Sequence, residues 1–393
     1  MLPGIGIFGT GNIVKVVVPF LREKGFKIEA LWGRTVESAK EVAKELNIPF
    51  YTNKIDDVLL RKDVDLIFIV CSPNLHSQIS VKALGIGKHV LCDKPGGLCQ
   101  NDVLKMVKAS QYYPSLISIV NHSLRFLPAF SQMKKYILDG FIGNSNEITV
   151  CDIRVQMGSL LHDKYDWLCD DKMGGGILTL VGSHVIDLVS HLISQRAARV
   201  HSVVRTFTKV TNQINGHRHI TSPDFCVFQM EMDNGALVTV TLNNHLPGMF
   251  NQEVLVCGKL GHLAVRGGDL YAYKNTAQKE EVIYLDVEDM KHKYEQLNPV
   301  ATNVIPKPYM KGLFKMIGAL KEAFLPVEDK RGWIKEPVEL AASFEDELYV
   351  QAVIDALRKS SMNREWVKVS ILKEESDPNS MLSAAVRCSG ISL

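Results

Sequence analysis

The first 120 residues alternate between short apolar runs and amphipathic segments, and this alternation restricts the possible folds more than any other feature. Apolar runs such as PGIGIF, FKIEALW and KHVLC are each followed by a segment with the apolar spacing of a helix. The run VDLIFIVC is nearly all apolar, which is typical of a strand buried on both faces of a sheet. Strands that alternate with helices predict a parallel, doubly wound α/β sheet.

A glycine-containing turn, GTGNIV, follows the first strand and opens the first helix. This is the position that a dinucleotide-binding Rossmann domain requires. Gly9 would permit the tight turn, and Gly11 would let backbone N–H groups approach a pyrophosphate at the helix N-terminus. The residues of this turn that are predicted to bind the cofactor are Gly9, Thr10, Gly11, Asn12 and Ile13. An ordinary strand-to-helix turn is the alternative.

The end of the second strand indicates which dinucleotide would bind. NAD-specific domains place an Asp or Glu there to hold the ribose 2′-hydroxyl, but this sequence has LWGRT. Arg34 could pair with a 2′-phosphate, and Thr35 could add a hydroxyl group. We therefore expect NADP to be preferred over NAD; the alternative for Arg34 is a solvated surface arginine.

A further segment, CSPNLHSQ, follows the fourth strand and would lie across the carboxyl edge of the sheet, where ligands bind in open α/β folds. Pro73 has no N–H to donate and ends the strand, and Asn74 can cap the next helix. The residues of this turn that are predicted to contact the cofactor are Cys71, Ser72, Pro73, Asn74 and His76. A position on the helix surface is the alternative for His76.

Lys94 ends the fifth strand at the same edge, within LCDKPGGL. Pro95 restricts Lys94 to extended geometry. A lysine in a partly dry pocket beside an oxidised, positively charged nicotinamide would have its pKa lowered by burial and by the like charge. Such a lysine can accept and return a proton near neutral pH, so Lys94 is predicted to be catalytic. The alternative is a strand-end lysine that points into water.

Composition argues against several other classes of protein. The formal net charge of the 393 residues is +2, and no block of Lys and Arg with interleaved aromatics predicts a nucleic-acid site. No stretch approaches the roughly 18 to 20 uncharged apolar residues of a membrane span. The eight cysteines form no CxxC pair, so we expect neither a metal site nor a disulfide framework, and a cytoplasmic location.

After about residue 123 the pattern changes to strands joined by hairpin signals, at 233–235 and 259–261. This predicts a second, α+β domain with a mostly antiparallel sheet. The expected division is a cofactor-binding domain over 1–123, a second domain over 124–372 and a flexible tail over 373–393. The late segment FEDELYVQAVIDALRKS is predicted to be a helix that packs back on the first domain.

The segments GIFGTGNI, CSPNLHSQ, ALGIGKHVLCDKP and NHSLRFLPAF resemble the Gfo/Idh/MocA oxidoreductases, in order and spacing, over about residues 3 to 370. Within that family, phrases such as YTNKIDDVLL and ITSPDFCVFQM are most similar to the glucose-fructose oxidoreductase domain-containing proteins. The resemblance implies an oxidoreductase that transfers a hydride between a nicotinamide cofactor and a sugar, cyclitol or related polyol; together with Arg34 it leads us to expect an NADP-dependent enzyme. It also implies that the second sheet is open, with one face over the active site and the other available for a homodimer.

The family pattern also implies site residues. Asp93 stands where the family usually has Glu, and Asp93, Lys94 and Asn121 are expected at the cofactor. In the family a glycine run is followed by an Asp and, four residues later, a His; here the His is His184, an expected general acid/base, but the Asp position holds Leu180. The residues that the analogy places near the substrate are His122, Arg125, Tyr165 and Trp167, with core packing the alternative for Trp167.

Leu180 leaves two functions open. Leucine cannot take a proton or orient an imidazole, and general acid–base groups typically contribute about 10²–10⁴ in rate. The alternative to an enzyme is therefore a catalytically weakened or inactive NADP-binding protein that acts as a sensor or scaffold. Asp187, three residues after His184, is interpreted as a structural acid rather than a substitute. Members of the most similar group have been described as extracellular, which is the alternative to the cytoplasm.

Overall fold

Two sheets of seven and nine strands organise the chain in a computed structural model that describes residues 1–161, 165–210, 219–245, 250–287 and 306–373. The tail predicted over 373–393 lies outside these residues except for its first position. The strands of the first sheet are β1 (Gly4–Phe8), β2 (Lys27–Trp32), β3 (Tyr51–Thr52), β4 (Leu66–Ile69), β5 (His89–Cys92), β6 (Ser118–Val120) and β15 (Ala342–Ser343).

The first sheet has the order β15-β6-β5-β4-β1-β2-β3, and every neighbouring pair is parallel except β15 with β6. Its early helices are α1 (Asn12–Glu23), α2 (Val36–Glu45), α3 (Ile55–Leu59), α4 (His76–Gly85) and α5 (Gln100–Tyr112). Every residue of β1, β4 and β5 is buried, because helices cover both faces. The predicted doubly wound sheet is confirmed, and its strand order reverses between β1 and β4, where ligands bind in such folds.

The second sheet has the order β14-β13-β12-β11-β7-β10-β9-β8-β16. Its strands are β7 (Ile148–Gln156), β8 (Ala197–Arg205), β9 (Phe225–Met232), β10 (Leu237–Asn243), β11 (Asn251–Gly258), β12 (Gly261–Arg266), β13 (Asp269–Lys274), β14 (Glu281–Tyr284) and β16 (Val367–Lys368). Only β7 and β10 pair in parallel; the other neighbours are antiparallel. The expected hairpins join β9 to β10 and β11 to β12, so the mostly antiparallel sheet is confirmed.

Helices cover one face of the second sheet and leave the other partly open. The covering helices are α6 (Pro128–Leu138), α7 (Ser183–Ile193) and α9 (Phe344–Asn363). Along β9 the inward side chains of Cys226, Phe228 and Met230 are buried, whereas the alternate residues are only half-buried. This period of two is what one packed face and one open face produce.

The end of the chain returns to the first sheet. Helix α8 (Lys307–Phe324) places Met310, Leu313 and Ile317 in the same core as β1 and α1. Helix α9 joins the two halves, because Phe344 packs in the first core and Val353 in the second. The first half of the protein is therefore completed by residues more than 180 positions after β6.

The stretch Asp171–Ile193 is long and apolar enough, by length and composition, to cross a membrane. Its most apolar window is 83% buried within the fold. It therefore serves here as a core helical segment beneath the second sheet.

A buried ion pair ties α7 to the turn after β6. The Arg125 guanidinium donates from Nε and Nη2 to the two Asp187 carboxylate oxygens, at 2.8 and 2.5 Å. Asp346 of α9 lies 3.2 Å from the same guanidinium. Burial would raise the pKa of Asp187, but the charges of Arg125 and His122 outweigh it and keep that pKa low. Asp187 is thus engaged in a structural pair.

We predict that Arg125→Ala lowers the free energy of unfolding by about 3–5 kcal/mol, because it leaves the Asp187 carboxylate buried without its partner. The matched control is Lys82→Ala, which breaks an exposed pair with Asp56 at 2.9 Å. Its cost should stay below about 1 kcal/mol. Urea denaturation of both variants measures the difference; equal costs would contradict the assignment.

Candidate active site

A cavity of about 260 Å³ lies where the carboxyl edge of the first sheet meets α7 and α8. Its wall on the first sheet includes Gly11, Asn12, Ile13, Cys71, Lys94 and Asn121. Its opposite wall includes Met157, Leu160, Trp167, Leu180, His184 and Tyr309. The cavity thus brings together residues from both halves of the protein, with titratable groups on each side.

The glycine turn forms one end of the cavity. Gly9 has φ +144°, and a Cβ there would lie 2.8 Å from the Val70 carbonyl oxygen, so the chain itself requires glycine. Gly11 is the N-cap of α1, and a Cβ there would meet nothing within 4 Å. Gly11, Asn12 and Ile13 line the cavity, whereas Gly9 and Thr10 do not. The space beside Gly11, at a helix N-terminus, fits a diphosphate.

Arg34 and Thr35 follow β2 outside the cavity lining. Arg34 is exposed, and no hydrogen bond or ion pair joins its guanidinium to the described residues. The Thr35 hydroxyl caps α2 by accepting from the Ser38 N–H at 3.3 Å. Arg34 is therefore available to an anion, while Thr35 already has a structural hydrogen bond.

The turn after β4 contributes through its backbone as well as its side chains. Cys71 lines the cavity, and the Ser72 hydroxyl donates to Asn74 Oδ1 at 2.7 Å. His76 is 1% exposed, with Nδ1 2.8 Å from the Pro95 carbonyl and Nε2 2.9 Å from the Cys71 carbonyl. The helix-surface alternative for His76 is wrong, because its ring bridges the two turns that flank the cavity. Pro73 is buried and begins a short helical turn, Pro73–Leu75, directly before α4.

Lys94 lies at the wall of the cavity and reaches across to the other half. Its peptide bond to Pro95 is cis, and its Nζ donates to the Leu180 carbonyl. Burial lowers the pKa of Lys94, and the charges of Asp93 and Glu347 oppose that shift only in part. The neutral amine is therefore easier to reach at neutral pH than for a solvated lysine.

The Asn121 side chain, directly after β6, is held by a hydrogen bond from its amide nitrogen, while its amide oxygen has no partner among the described residues. Its Nδ2 donates to Asp93 Oδ1 at 3.0 Å. Its Oδ1 is buried and has no hydrogen-bond partner among the described residues. A buried acceptor without a partner is costly, so this oxygen fits a ligand donor such as a carboxamide N–H.

His184 lies on α7, directly after a π-helical turn over Leu178–Gly182. Its ring packs edge to face against His122 and Tyr309, with centroids 5.4 and 4.8 Å apart. Burial, together with the nearby Lys94 and His122, holds the pKa of His184 well below its usual range. The imidazole is therefore neutral at physiological pH. Turns of the π type are frequent at functional sites.

Leu180, at the position of the family acid, lines the cavity with its side chain while its carbonyl accepts from Lys94. The main chain thus supplies the partner for Lys94 at a position whose side chain is apolar.

The four residues expected near the substrate separate into two groups. Trp167 lines the cavity, whereas Tyr165 does not line it and packs in a small cluster with Cys169 and Ile220. His122 and Arg125 do not line the cavity; each is buried and directed at an acid, Glu347 and Asp187 respectively. Tyr309 and Met157, which do line it, were not predicted, because no local motif marks them.

Comparisons with known proteins agree with this arrangement. Residues 4–119 match the family model described as "Oxidoreductase family, NAD-binding Rossmann fold", and residues 130–264 match the "GFO/IDH/MocA C-terminal domain". Glucose-fructose oxidoreductase domain-containing protein 2 of Homo sapiens is 47% identical over 387 residues, covering 98% of each chain. Glucose-fructose oxidoreductase domain-containing protein 1 of Xenopus tropicalis is 47% identical over 395 residues, covering 100% of each chain.

Among solved structures, a levoglucosan dehydrogenase in complex with NADH and levoglucosan shares the fold. The TM-score is 0.76 at 20% identity, and the match covers 95% of this chain and 100% of that chain.

The two glycines of the turn give a prediction with a built-in control. Gly9→Ala should lower the melting temperature, because the added Cβ meets backbone atoms at a positive φ. Gly11→Ala should leave the melting temperature nearly unchanged but weaken binding of a dinucleotide, whose diphosphate would occupy the space beside it. Thermal unfolding and fluorescence titration with NADPH measure the two effects; unaltered NADPH affinity in Gly11→Ala would rule out this turn as the diphosphate site.

Proposed function

The chain belongs to the Gfo/Idh/MocA oxidoreductase family, and we propose that it is an NADP-dependent oxidoreductase that acts on a CH–OH group of a sugar, cyclitol or related polyol. The observation that carries this proposal is the pair formed by Lys94 and His184, from opposite halves of the protein, at a single cavity. Both groups have lowered pKa values. Alcohol oxidation by hydride transfer releases one proton, and either group can accept it at this cavity.

In the oxidation direction, the substrate hydroxyl loses its proton to the neutral Lys94 amine, and the C–H bond of the same carbon breaks with its electron pair. A nicotinamide cofactor, when bound, would accept that hydride, which would leave the alcohol carbon as a carbonyl. His184, neutral and next to Lys94, can accept or return the proton as well. Reduction follows the same path in reverse, with the Lys94 ammonium as the acid.

The residues present suit such a cofactor. Gly11 leaves room for the diphosphate at the N-terminus of α1, and Asn121 has an uncommitted buried acceptor at the cavity. Arg34 supports NADP over NAD, because it is exposed after β2 and can form a charge-assisted pair with a 2′-phosphate.

The wall opposite the cofactor turn supports a polyol. Trp167, Met157 and Leu160 present apolar surface, which suits the C–H face of a sugar ring, while Lys94 and His184 meet hydroxyl groups. A levoglucosan dehydrogenase of the same fold acts on such a compound.

Leu180 favours a second candidate, a non-catalytic NADP-binding sensor or scaffold. The family acid at this position is lost, and the Lys94 Nζ is bound to a main-chain carbonyl instead. A protein of this kind would hold the cofactor without turning it over. Leu180→Asp separates the two functions, since restoring the acid should raise turnover only if the remaining site is competent.

Two further proposals concern the assembly and its location. A homodimer through the open face of the second sheet is supported by half-buried apolar residues there, such as Val227, Leu255 and Tyr271. Sedimentation of the purified chain tests it, and a monomer at micromolar concentration would exclude it.

A cytoplasmic location is supported by seven free cysteines in the described residues; recovery of the protein in the culture medium would favour the secreted alternative.

We predict that Arg34→Ala weakens NADPH binding by about tenfold or more while leaving NADH binding within about twofold, because one ion pair to the 2′-phosphate is lost. Lys44→Ala, which removes an exposed cation of helix α2, is the control for general surface charge. Fluorescence titrations with both cofactors measure the ratio. If the affinities for NADPH and NADH fall equally, Arg34 does not select NADP.

We predict that Lys94→Met and His184→Asn each lower the rate of NADP⁺ reduction by about 10²–10⁴ while retaining NADPH binding. The wild-type rate should rise with pH as the Lys94 ammonium deprotonates, and Lys94→Met should lose that rise. His201→Asn, on the outer face of the second sheet, is the control. Absorbance at the NADPH band with levoglucosan, myo-inositol and glucose measures turnover; bound cofactor with no turnover of any polyol would refute the enzyme.

A further inference from the structure

A fully buried glutamate outside the cavity contacts the loop that follows Lys94 and a histidine whose ring packs against His184. Glu347, in the first turn of α9, is 0% exposed. Its Oε1 accepts from the Gly96 N–H at 2.6 Å, and its Oε2 lies 2.6 Å from His122 Nε2. Burying a carboxylate is costly unless its oxygens are paired, and here both oxygens have a partner.

The first contact fixes the loop that follows Lys94. Gly96 lies two residues after Lys94, and a Cβ at position 96 would come within 2.8 Å of Glu347 Cγ. The absence of a side chain at Gly96 therefore lets the loop pack directly against Glu347. A hydrogen bond to a charged acceptor, excluded from water, holds it there.

The second contact fixes the ring of His184 through His122. The two imidazoles pack at an interplanar angle of 87°, and Tyr309 packs on His184 from α8 at 77°. His184 Nδ1 has no hydrogen-bond partner among the described residues. The orientation of His184 thus depends on ring packing, since Leu180 offers no acid to orient it.

We propose that Glu347 is a positioning residue for the Lys94–His184 pair, one carboxylate oxygen holding the Lys94 loop and the other holding His122 against His184. This inference rests on the proposed function for its role in catalysis. Its two contacts can nevertheless be tested in protein loaded with NADP⁺ alone. No local motif marks Glu347, which lies 225 residues after His122 and 251 after Gly96.

The charges around the two histidines agree with this role. His122 faces Glu347 from α9, Asp187 from α7 and Arg125 from its own turn; burial would lower its pKa, but the two acids outweigh burial and raise it. His184 faces Lys94, His122 and the Tyr309 ring. The two acids favour the charged form of His122, and that charge in turn lowers the pKa of His184.

The experiment compares Glu347→Gln and Glu347→Asp with the wild-type protein, each saturated with NADP⁺. Gln keeps the shape and the acceptor for Gly96 but removes the charge. Asp keeps the charge but shortens the reach to Gly96. The matched control is Glu345→Gln, an exposed glutamate two residues away whose partner is Gln111.

NMR of ¹⁵N-labelled histidine rings, assigned with His122→Asn and His184→Asn, measures the contact between Glu347 and His122. Hydrogen exchange of the backbone amides at Lys94 and at 96–98 measures the contact between Glu347 and the Lys94 loop. In Glu347→Gln, the His122 titration midpoint should fall by about 1–3 pH units while loop exchange stays near wild type. In Glu347→Asp, loop exchange should rise at least about tenfold while His122 stays charged. Glu345→Gln should change neither. Wild-type titration in Glu347→Gln, or wild-type exchange in Glu347→Asp, would overturn the proposal.

Turnover measurements then distinguish the positioning role of Glu347 from the proposed enzymatic function. If a polyol is oxidised, Glu347→Gln should lower kcat by about 10- to 100-fold, with an altered pH profile and little change in the KM for NADP⁺. An unaltered kcat with altered titration would overturn the positioning role and leave the enzyme intact. If no polyol is oxidised, the proposed function fails, while the ring titration and the exchange still decide whether Glu347 holds the two elements.

Discussion

The hydrogen bond from Lys94 Nζ to the Leu180 carbonyl is the contact on which the site depends. It crosses from the carboxyl edge of the first sheet to the π-helical turn before α7, so it links the two halves at the cavity itself. Leu180 lies in that turn, at the position where the family pattern has an Asp, and its main-chain carbonyl accepts the Lys94 hydrogen bond. The same residue therefore removes an acid and provides a neutral acceptor, which keeps Lys94 at the cavity without adding a charge.

Behind this contact, buried charges are segregated from the cavity. Arg125 pairs with Asp187, and His122 pairs with Glu347; all four are buried and lie outside the cavity lining. Lys94, His184 and Asp93 are on the cavity side. Buried pairs contribute little net stability, because desolvation offsets their attraction. Their effect here is geometric, since each pair joins elements from different parts of the chain at a fixed distance.

The sequence predicted what depends on local pattern. The alternation of strands and helices, the glycine turn and a lysine before a proline are all set by neighbouring residues, and each lies where the doubly wound fold requires. The partners of Arg125 and His122 could not be predicted in this way, because they lie 62 and 225 residues away. His76 shows the same limit, since its position at the start of a helix gives no sign that its ring bridges two turns.

The return of α8 and β15 to the first sheet has a consequence for biosynthesis. A ribosome that has made residues 1–123 has released every strand of the first sheet except β15, yet the face covered by α8 and the outer edge of β6 are still bare. Domains usually fold as units during synthesis, but this one waits for some 220 further residues. Until residues 307–343 have been made, the apolar face that α8 covers and the edge of β6 that β15 pairs with therefore lack these partners.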